Sequence, residues 1–342
     1  MNIREQIQDF EKQYLSPYAQ QSSATRGRRR KDEKECDHRT PYQKDRDKIL
    51  HSVYFRKLKS KTQVFLSTTG EQFRTRLTHT LEVSQIARAI ARALKLNEDL
   101  AEAISYGHDL GHTPFGHTGE KMLNQLYSGG FKHAAQSVRV VTFLAREGKG
   151  LNLTYEVIDG IAKHSKVIEN FMYNTGGDPV TLEGMVVRIS DTIAYINHDI
   201  DDALKQGVLK QSEIPADIMD ILGYEHGDRI SKMVMDVVNN SMGKNKILMS
   251  DEVFQATNEL RKFMFKKVYK NVALDDVSGR AEKIMSDLYE FYKTHPDKLY
   301  EKVPAGWDDG NIERLVCDYL ASMSDVELLK DYSDLFLIKP LF

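Results

Sequence analysis

The sequence predicts an all-α protein, and three observations carry that prediction. Apolar residues recur every three or four positions through most of the chain. Asn, Ser or Asp opens several of these stretches, where helix N-caps belong. No alternating strand–helix units, glycine-rich phosphate loop or fixed-period repeat interrupts the pattern. A short hairpin is the most β-structure expected.

Taken in order, residues 4–14 carry a weak helical pattern, and 15–40 read as loop through Pro17, Ser22-Ser23 and the basic run Arg26-Gly27-Arg28-Arg29-Arg30-Lys31. From Asp45 the pattern is helical and basic through Ile49, Val53, Phe55 and Leu58. The stretch from Gln63 to Gly70 is the best local candidate for a strand or hairpin. Thr78-His79 opens a helix repeating Val83, Ile86, Ile90 and Leu94. Asn97 caps the next, which carries Leu100, Ile104 and finally His108-Asp109. Further helices are expected at 119–127, 134–146 and 154–164, then a long one at 182–206. Beyond Gly207 they are expected at 213–222, 228–241, 251–270, 276–293 and 310–321.

A content of 41% hydrophobic and 29% charged residues describes a globular chain, not a disordered one. No apolar run is long enough for a membrane span, and the N-terminus lacks a signal-peptide core, so a cytoplasmic protein is expected. Cys36 and Cys317 cannot form a disulfide framework or a cysteine zinc site. Net charge is only −2, but residues 1–61 hold 16 Lys and Arg against nine Asp and Glu. A basic segment of that kind attracts phosphates, and single-stranded DNA is one partner it would suit.

Two groups of residues invite chemistry. The stretch from His108 to His117 packs three histidines and Asp109 into ten residues, broken by Gly111, Pro114 and Gly116. On the long helix, Asp191, Tyr195, Asp199 and Asp202 share one stripe at i, i+4, i+8 and i+11. Imidazoles and carboxylates suit a divalent metal ion. His79, His108-Asp109 and Asp191 lie on successive helices, an order that can complete one metal site in a helical bundle.

This H…HD…D order resembles the HD superfamily of metal-dependent phosphohydrolases. The flanking text is more similar still to bacterial deoxyguanosinetriphosphate triphosphohydrolase-like proteins, which share this core with eukaryotic SAM-and-HD-domain dNTP hydrolases. The matching words are RTPYQKDRDKILHS (39–52), FRKLKSKTQVF (55–65), RTRLTHTLEV (74–83), HDLGHTPFGH (108–117), DTIAYINHD (191–199) and DYLASMSD (318–325). The resemblance implies an HD-domain helical bundle over 39–210, preceded by a basic arm (1–38) and followed by a C-terminal helical extension (211–342).

It also implies roles. His79, His108, Asp109 and Asp191 would bind a divalent metal, be it Mg, Mn, Fe, Co or Ni. His117 matches the catalytic histidine, with Glu120 one turn away to hold the imidazole. His112 and His133 match further active-site histidines near the phosphates. Arg76 matches a phosphate-contacting arginine, Tyr195 and Asp199 match residues that receive the deoxyribose, and Gln63 a sugar-contacting glutamine. The implied reaction converts a dNTP (dGTP or several dNTPs) and water to deoxynucleoside and tripolyphosphate. A homo-oligomer and a second dNTP acting as effector belong to the same implication. Two rival readings keep part of the pattern. One is an HD phosphohydrolase for a deoxynucleoside monophosphate, guanosine tetraphosphate or a cyclic dinucleotide. The other is a nucleic-acid-binding regulatory protein.

Overall fold

A computed structural model describes residues 1–63, 74–165, 177–269 and 276–337 of the chain. Among these residues the regular structure is helical, and β-pairing is limited to isolated bridges between Arg28 and Thr154 and between Thr62 and Thr75. No helix among them is long and apolar enough to cross a membrane. Residues 64–70 of the expected hairpin lie outside the described residues.

The chain folds into two units, each made of three segments: 1–50, 79–108 and 152–271 in the first, and 51–78, 109–151 and 272–342 in the second. The first is organised on the Leu182–Lys205 helix, which packs against Glu98–Gly107, Tyr155–Lys163, His226–Ser241 and Asp251–Met264. Its apolar stripe of Val186, Ile189, Ile193, Ile196, Ile200 and Ala203 is buried, and burial of this kind stabilises by about 25 cal/mol per Å². Thr181 caps the helix by accepting from the Gly184 amide.

Reciprocal small-to-large packing brings two helix ends together. A Cβ on Gly107 would lie 2.3 Å from Ile161 Cδ1, and one on Gly160 would lie 2.5 Å from Ile104 Cδ1. Glycine at both positions lets Glu98–Gly107 and Tyr155–Lys163 approach closely. The histidines that follow them, His108 and His164, then sit with ring centroids 5.0 Å apart.

The first 38 residues contribute to this unit too. Ile3–Tyr14 is a helix with a reciprocal Asn2/Glu5 capping box. Arg28 pairs with the buried Asp45 and donates to the carbonyls of Asn152 (2.6 Å) and Pro41 (3.1 Å). One arginine of the basic run is therefore an internal tie.

In the second unit the hub is Asp276–Thr294, packed against Gly116–Leu126, Pro296–Tyr300, Ile312–Ser322 and Asp325–Phe336. Met285, Leu288, Tyr289, Leu315, Val316, Leu320 and Leu328 are buried in it. Two expected helices end differently from their apolar periodicity. His133–Arg139 passes into a π turn at Val140–Leu144, after which Arg146 and Glu147 take left-handed φ values of 53° and 58°. In the first unit, Asp251–Met264 likewise ends in a π turn, Phe265–Tyr269. The expected helix at 213–222 starts only at Ala216 behind Pro215, and Gln211–Glu213 is a 3-10 turn. Asp325–Phe336, closed by a Ser324/Glu327 capping box, is an additional helix.

Gly111 is one of the tightest points of the second unit. A Cβ there would lie 2.1 Å from the Ser137 amide nitrogen and 2.7 Å from the His133 carbonyl oxygen. Backbone cannot yield as a side-chain tip can. Gly111→Ala is expected to destabilise the protein by about 1–3 kcal/mol through overpacking, read from urea unfolding, and to lower activity because His112 and His133 flank the clash.

Candidate active site

In the first unit, buried His79, buried His108 and half-buried Asp191 converge from three helices. His79 Nε2 lies 3.4 Å from His108 Nε2 and 3.3 Å from Asp191 Oδ1. The other nitrogen of His108, Nδ1, is 2.7 Å from the Ser105 carbonyl. A carbonyl only accepts, so Nδ1 carries the proton and Nε2 presents a lone pair. Donor atoms ~2.1 Å from a shared ion lie about 3.0–3.4 Å from one another. Spacing and donor chemistry of these residues therefore fit a divalent cation. Asp109, the next residue after His108, belongs to the second unit.

Around that cluster lie Tyr195, Asp199, His198 and Tyr269. Asp199 is buried; Oδ2 accepts from the Tyr269 hydroxyl at 2.5 Å, and Oδ1 is 2.8 Å from His198 Nδ1. His198 Nε2 is in turn 2.9 Å from His79 Nδ1. Burial, together with Asp191 and Asp199, pushes the Tyr195 hydroxyl pKa up despite Arg261, which keeps it a neutral hydrogen-bonding group. Asp199 and Asp202 are both buried, so the stripe is not a solvated face.

The second unit groups Gln63, Arg76, Asp109, His112, Glu120 and His133. Arg76 is buried and donates from Nη1 to Asp109 Oδ2 (2.9 Å) and from Nη2 to the Gln63 carbonyl (3.3 Å). His112 Nε2 lies 3.5 Å from Asp109 Oδ1, and its ring stacks on His133 at 4.0 Å between centroids. Glu120 takes His133 as its main partner, accepting from both its amide (2.8 Å) and its Nδ1 (2.9 Å). His117 Nδ1 stands further off, 3.8 Å from Glu120 Oε2, and its side chain is 73% exposed. The i, i+3 spacing pointed to His117 as that partner, but the fold brings His133 closer.

Electrostatics divides these histidines. Burial drives the His112 pKa well below the usual imidazole value, and the charges of Arg76, His133, His117 and Lys61 add to the effect. His112 is neutral. Burial also disfavours charge on His133, but Glu120 outweighs it and raises the His133 pKa. Glu120, although buried, is held below the carboxylate range by His133 and His117.

Three buried polar atoms in this cluster lack a hydrogen-bond partner among the described residues: His112 Nδ1, Arg76 Nε and Gln63 Oε1. Buried polar atoms are normally satisfied, so the grouping is what a site waiting for a polar ligand presents. Asp109, His112 and His133 could also face one cation, but an arginine on Asp109 and a His133 whose proton Glu120 favours suit an anion better.

The turn that carries His112 and His117 is held from the C-terminal segment. Phe115 has a left-handed φ of 59°, unusual for a bulky residue. Its amide donates to Asp325 Oδ1 at 3.1 Å, while Asp325 Oδ2 accepts from the Thr62 amide at 3.0 Å and from the Thr62 hydroxyl. Buried Lys61 donates to the carbonyls of His112 and Ala321, and burial lowers its pKa to about 7.

Sequence reasoning assigned no part to His198, Tyr269, Lys61 or Asp325. Only His198 left a usable signal, lying seven residues after Asp191 on the same helix face.

Comparison with known proteins agrees with this architecture. Residues 76–196 match the HD domain, and 247–334 match the phosphohydrolase-associated domain. A deoxyguanosinetriphosphate triphosphohydrolase-like protein of Caldanaerobacter subterraneus subsp. tengcongensis is 52% identical, over 100% of this chain and 98% of the relative. Proteins of the same description from Desulfatibacillum aliphaticivorans and Clostridium tetani are 46% and 41% identical, over 100% and 99% of this chain and 100% and 97% of theirs.

Proposed function

The chain belongs to the deoxyguanosinetriphosphate triphosphohydrolase-like family of HD-domain proteins, and from that premise we propose that it is a metal-dependent dNTP triphosphohydrolase. The reaction is dNTP plus water to deoxynucleoside plus tripolyphosphate. Water oxygen bonds to the α-phosphorus, the bond from that phosphorus to the 5′-oxygen breaks, and a proton ends on the 5′-oxygen.

The observation that carries this reading is the anion-ready cluster of the second unit. Arg76 offers a guanidinium whose Nε is unsatisfied, His133 has its charged form favoured by Glu120, and His112, pushed toward the neutral form, has a free Nδ1. Guanidinium and imidazolium groups held in a buried setting recognise phosphate oxygens strongly. His112 can accept a proton or donate a hydrogen bond without changing its own charge beforehand. Exposed His117 is free to reach the leaving 5′-oxygen and deliver its proton, and Glu120 restrains it from one side.

His79, His108, Asp109 and Asp191 would hold the divalent ion, which when bound supplies Lewis acidity and a more acidic water. Tyr195 and Asp199 would receive the deoxyribose, the ring under C2′ and the carboxylate on the 3′-hydroxyl. A carboxylate has lone pairs to spare beyond the one Tyr269 uses. A ribose 2′-hydroxyl would meet the Tyr195 ring and be rejected.

The test is to incubate the protein with each dNTP and with GTP in the presence of Mg²⁺, Mn²⁺, Fe²⁺ or Co²⁺, and to identify products. Tripolyphosphate from one or more dNTPs, with GTP at least about 10²-fold poorer, is the expected result; discrimination of that size is ~2.7 kcal/mol. Release of pyrophosphate or monophosphate alone would remove this reading in favour of another nucleotide.

A further inference from the structure

A continuous line of polar groups runs from Tyr269 to the candidate metal cluster within the first unit. The Tyr269 hydroxyl donates to Asp199 Oδ2 (2.5 Å), Asp199 Oδ1 faces His198 Nδ1 (2.8 Å), and His198 Nε2 meets His79 Nδ1 (2.9 Å). His79 Nε2 then points at His108 Nε2 and Asp191. His198 and Asp199 are buried.

The direction of the hydrogen bond between the two imidazoles follows from the metal end. A histidine that gives its Nε2 lone pair to a cation keeps its proton at Nδ1, so a ligating His79 donates from Nδ1 to His198 Nε2, 2.9 Å away. Asp199 Oδ1 lies beside His198 Nδ1 but off the axis of a hydrogen bond, since the two residues are sequence neighbours on one helix. His79 Nε2 is left with its lone pair aimed into the cluster. Ser105 does the same for His108 from another side.

We propose that His198 is a positioning residue for His79: it fixes the Nδ1–H tautomer and ring orientation that make His79 Nε2 a metal ligand. Asp199, the next residue, is the one proposed to receive the sugar, so one helix serves both the ion and the deoxyribose. Outer partners of this kind commonly change metal affinity about 10- to 100-fold. The inference rests on the metal-binding part of the function proposed above and not on the substrate.

The test uses the full chain stripped of metal with a chelator and titrated with Co²⁺, without nucleotide, following visible absorption. His198→Phe removes the acceptor at similar bulk and should weaken Co²⁺ binding about 10- to 100-fold. His198→Gln returns an acceptor oxygen to Nδ1 of His79 and should recover most of that loss. Nitrogen-15 NMR of the wild-type protein loaded with diamagnetic Zn²⁺ provides a second readout that does not depend on a variant folding. It should show His79 protonated at Nδ1 and His198 at Nδ1. A folded His198→Phe with wild-type Co²⁺ affinity, or a His79 ring protonated at Nε2, overturns the proposal. A wild type that binds Co²⁺ as described but cleaves no dNTP instead retires the substrate reading and leaves the role of His198 standing.

Discussion

Asp109→Ala is expected to abolish turnover, lowering kcat/KM by more than about 10³-fold, or ~4 kcal/mol of transition-state stabilisation. Two losses combine in that variant. The carboxylate disappears from the ligand set, and buried Arg76 loses the oxygen it donates to at 2.9 Å. Stranding one partner of a buried ion pair typically costs about 3–5 kcal/mol in stability. Asp109→Asn separates the two, because its amide oxygen still accepts from Arg76 while the charge that attracts a cation is gone. The Asn variant should melt within a few degrees of wild type, show no Mn²⁺-dependent rise in Tm, and release no tripolyphosphate. An Asn variant with near-normal turnover would remove Asp109 from the proposed machinery.

Glu120→Gln should be the next most damaging change, costing about 10²- to 10³-fold in kcat through loss of a positioned, charged histidine. Its pH signature is specific. His133 has a folded pKa above its ordinary value of 6.5, so its contribution to stability is full below about 6.5 and fades as pH rises through the folded value. Glu120 has a folded pKa below its ordinary 4.5, so its contribution is full above about 4.5 and fades as pH falls through the folded value. The pair is worth most between those limits. The stability gap between wild type and Glu120→Gln should therefore be widest near pH 5.5 and shrink toward pH 9, measured by urea unfolding across that range. A gap independent of pH would mean that His133 is not charged by Glu120.

The helices were legible because periodicity and capping are local properties. Asn97 does cap its helix by accepting from the Leu100 amide. The Ser324-x-x-Glu327 box is an equally local signature, and it marks the start of the Asp325–Phe336 helix. The π turns at Val140–Leu144 and Phe265–Tyr269 were not readable, since they answer to packing and caps elsewhere. Phe265–Tyr269 matters most, because it carries the tyrosine that reaches Asp199.

For the candidate site, the order H…HD…D anticipated that His79, His108 and Asp191 would meet, although 112 residues separate the first from the last. Helix-surface rules served less well for Glu120. They name a neighbour one turn away, yet a tertiary contact thirteen residues on, with His133, is the shorter one. Lys61 and Asp325 carried no local signal. Their partners include main-chain groups of a turn that only the folded unit brings within reach.

The hold that Asp325 keeps on Thr62 and Phe115 has a consequence for how the molecule comes into being. Those contacts join residues 263 and 210 positions apart. At ordinary rates of protein synthesis, roughly 10–40 s pass between emergence of the Phe115 turn and of the residue that completes it. Once His198 has been added, the nascent chain carries every histidine of the candidate site but lacks the brace for their turn. Maturation of this centre thus waits for Asp325, and a chain released before that residue would have the site's composition without its shape.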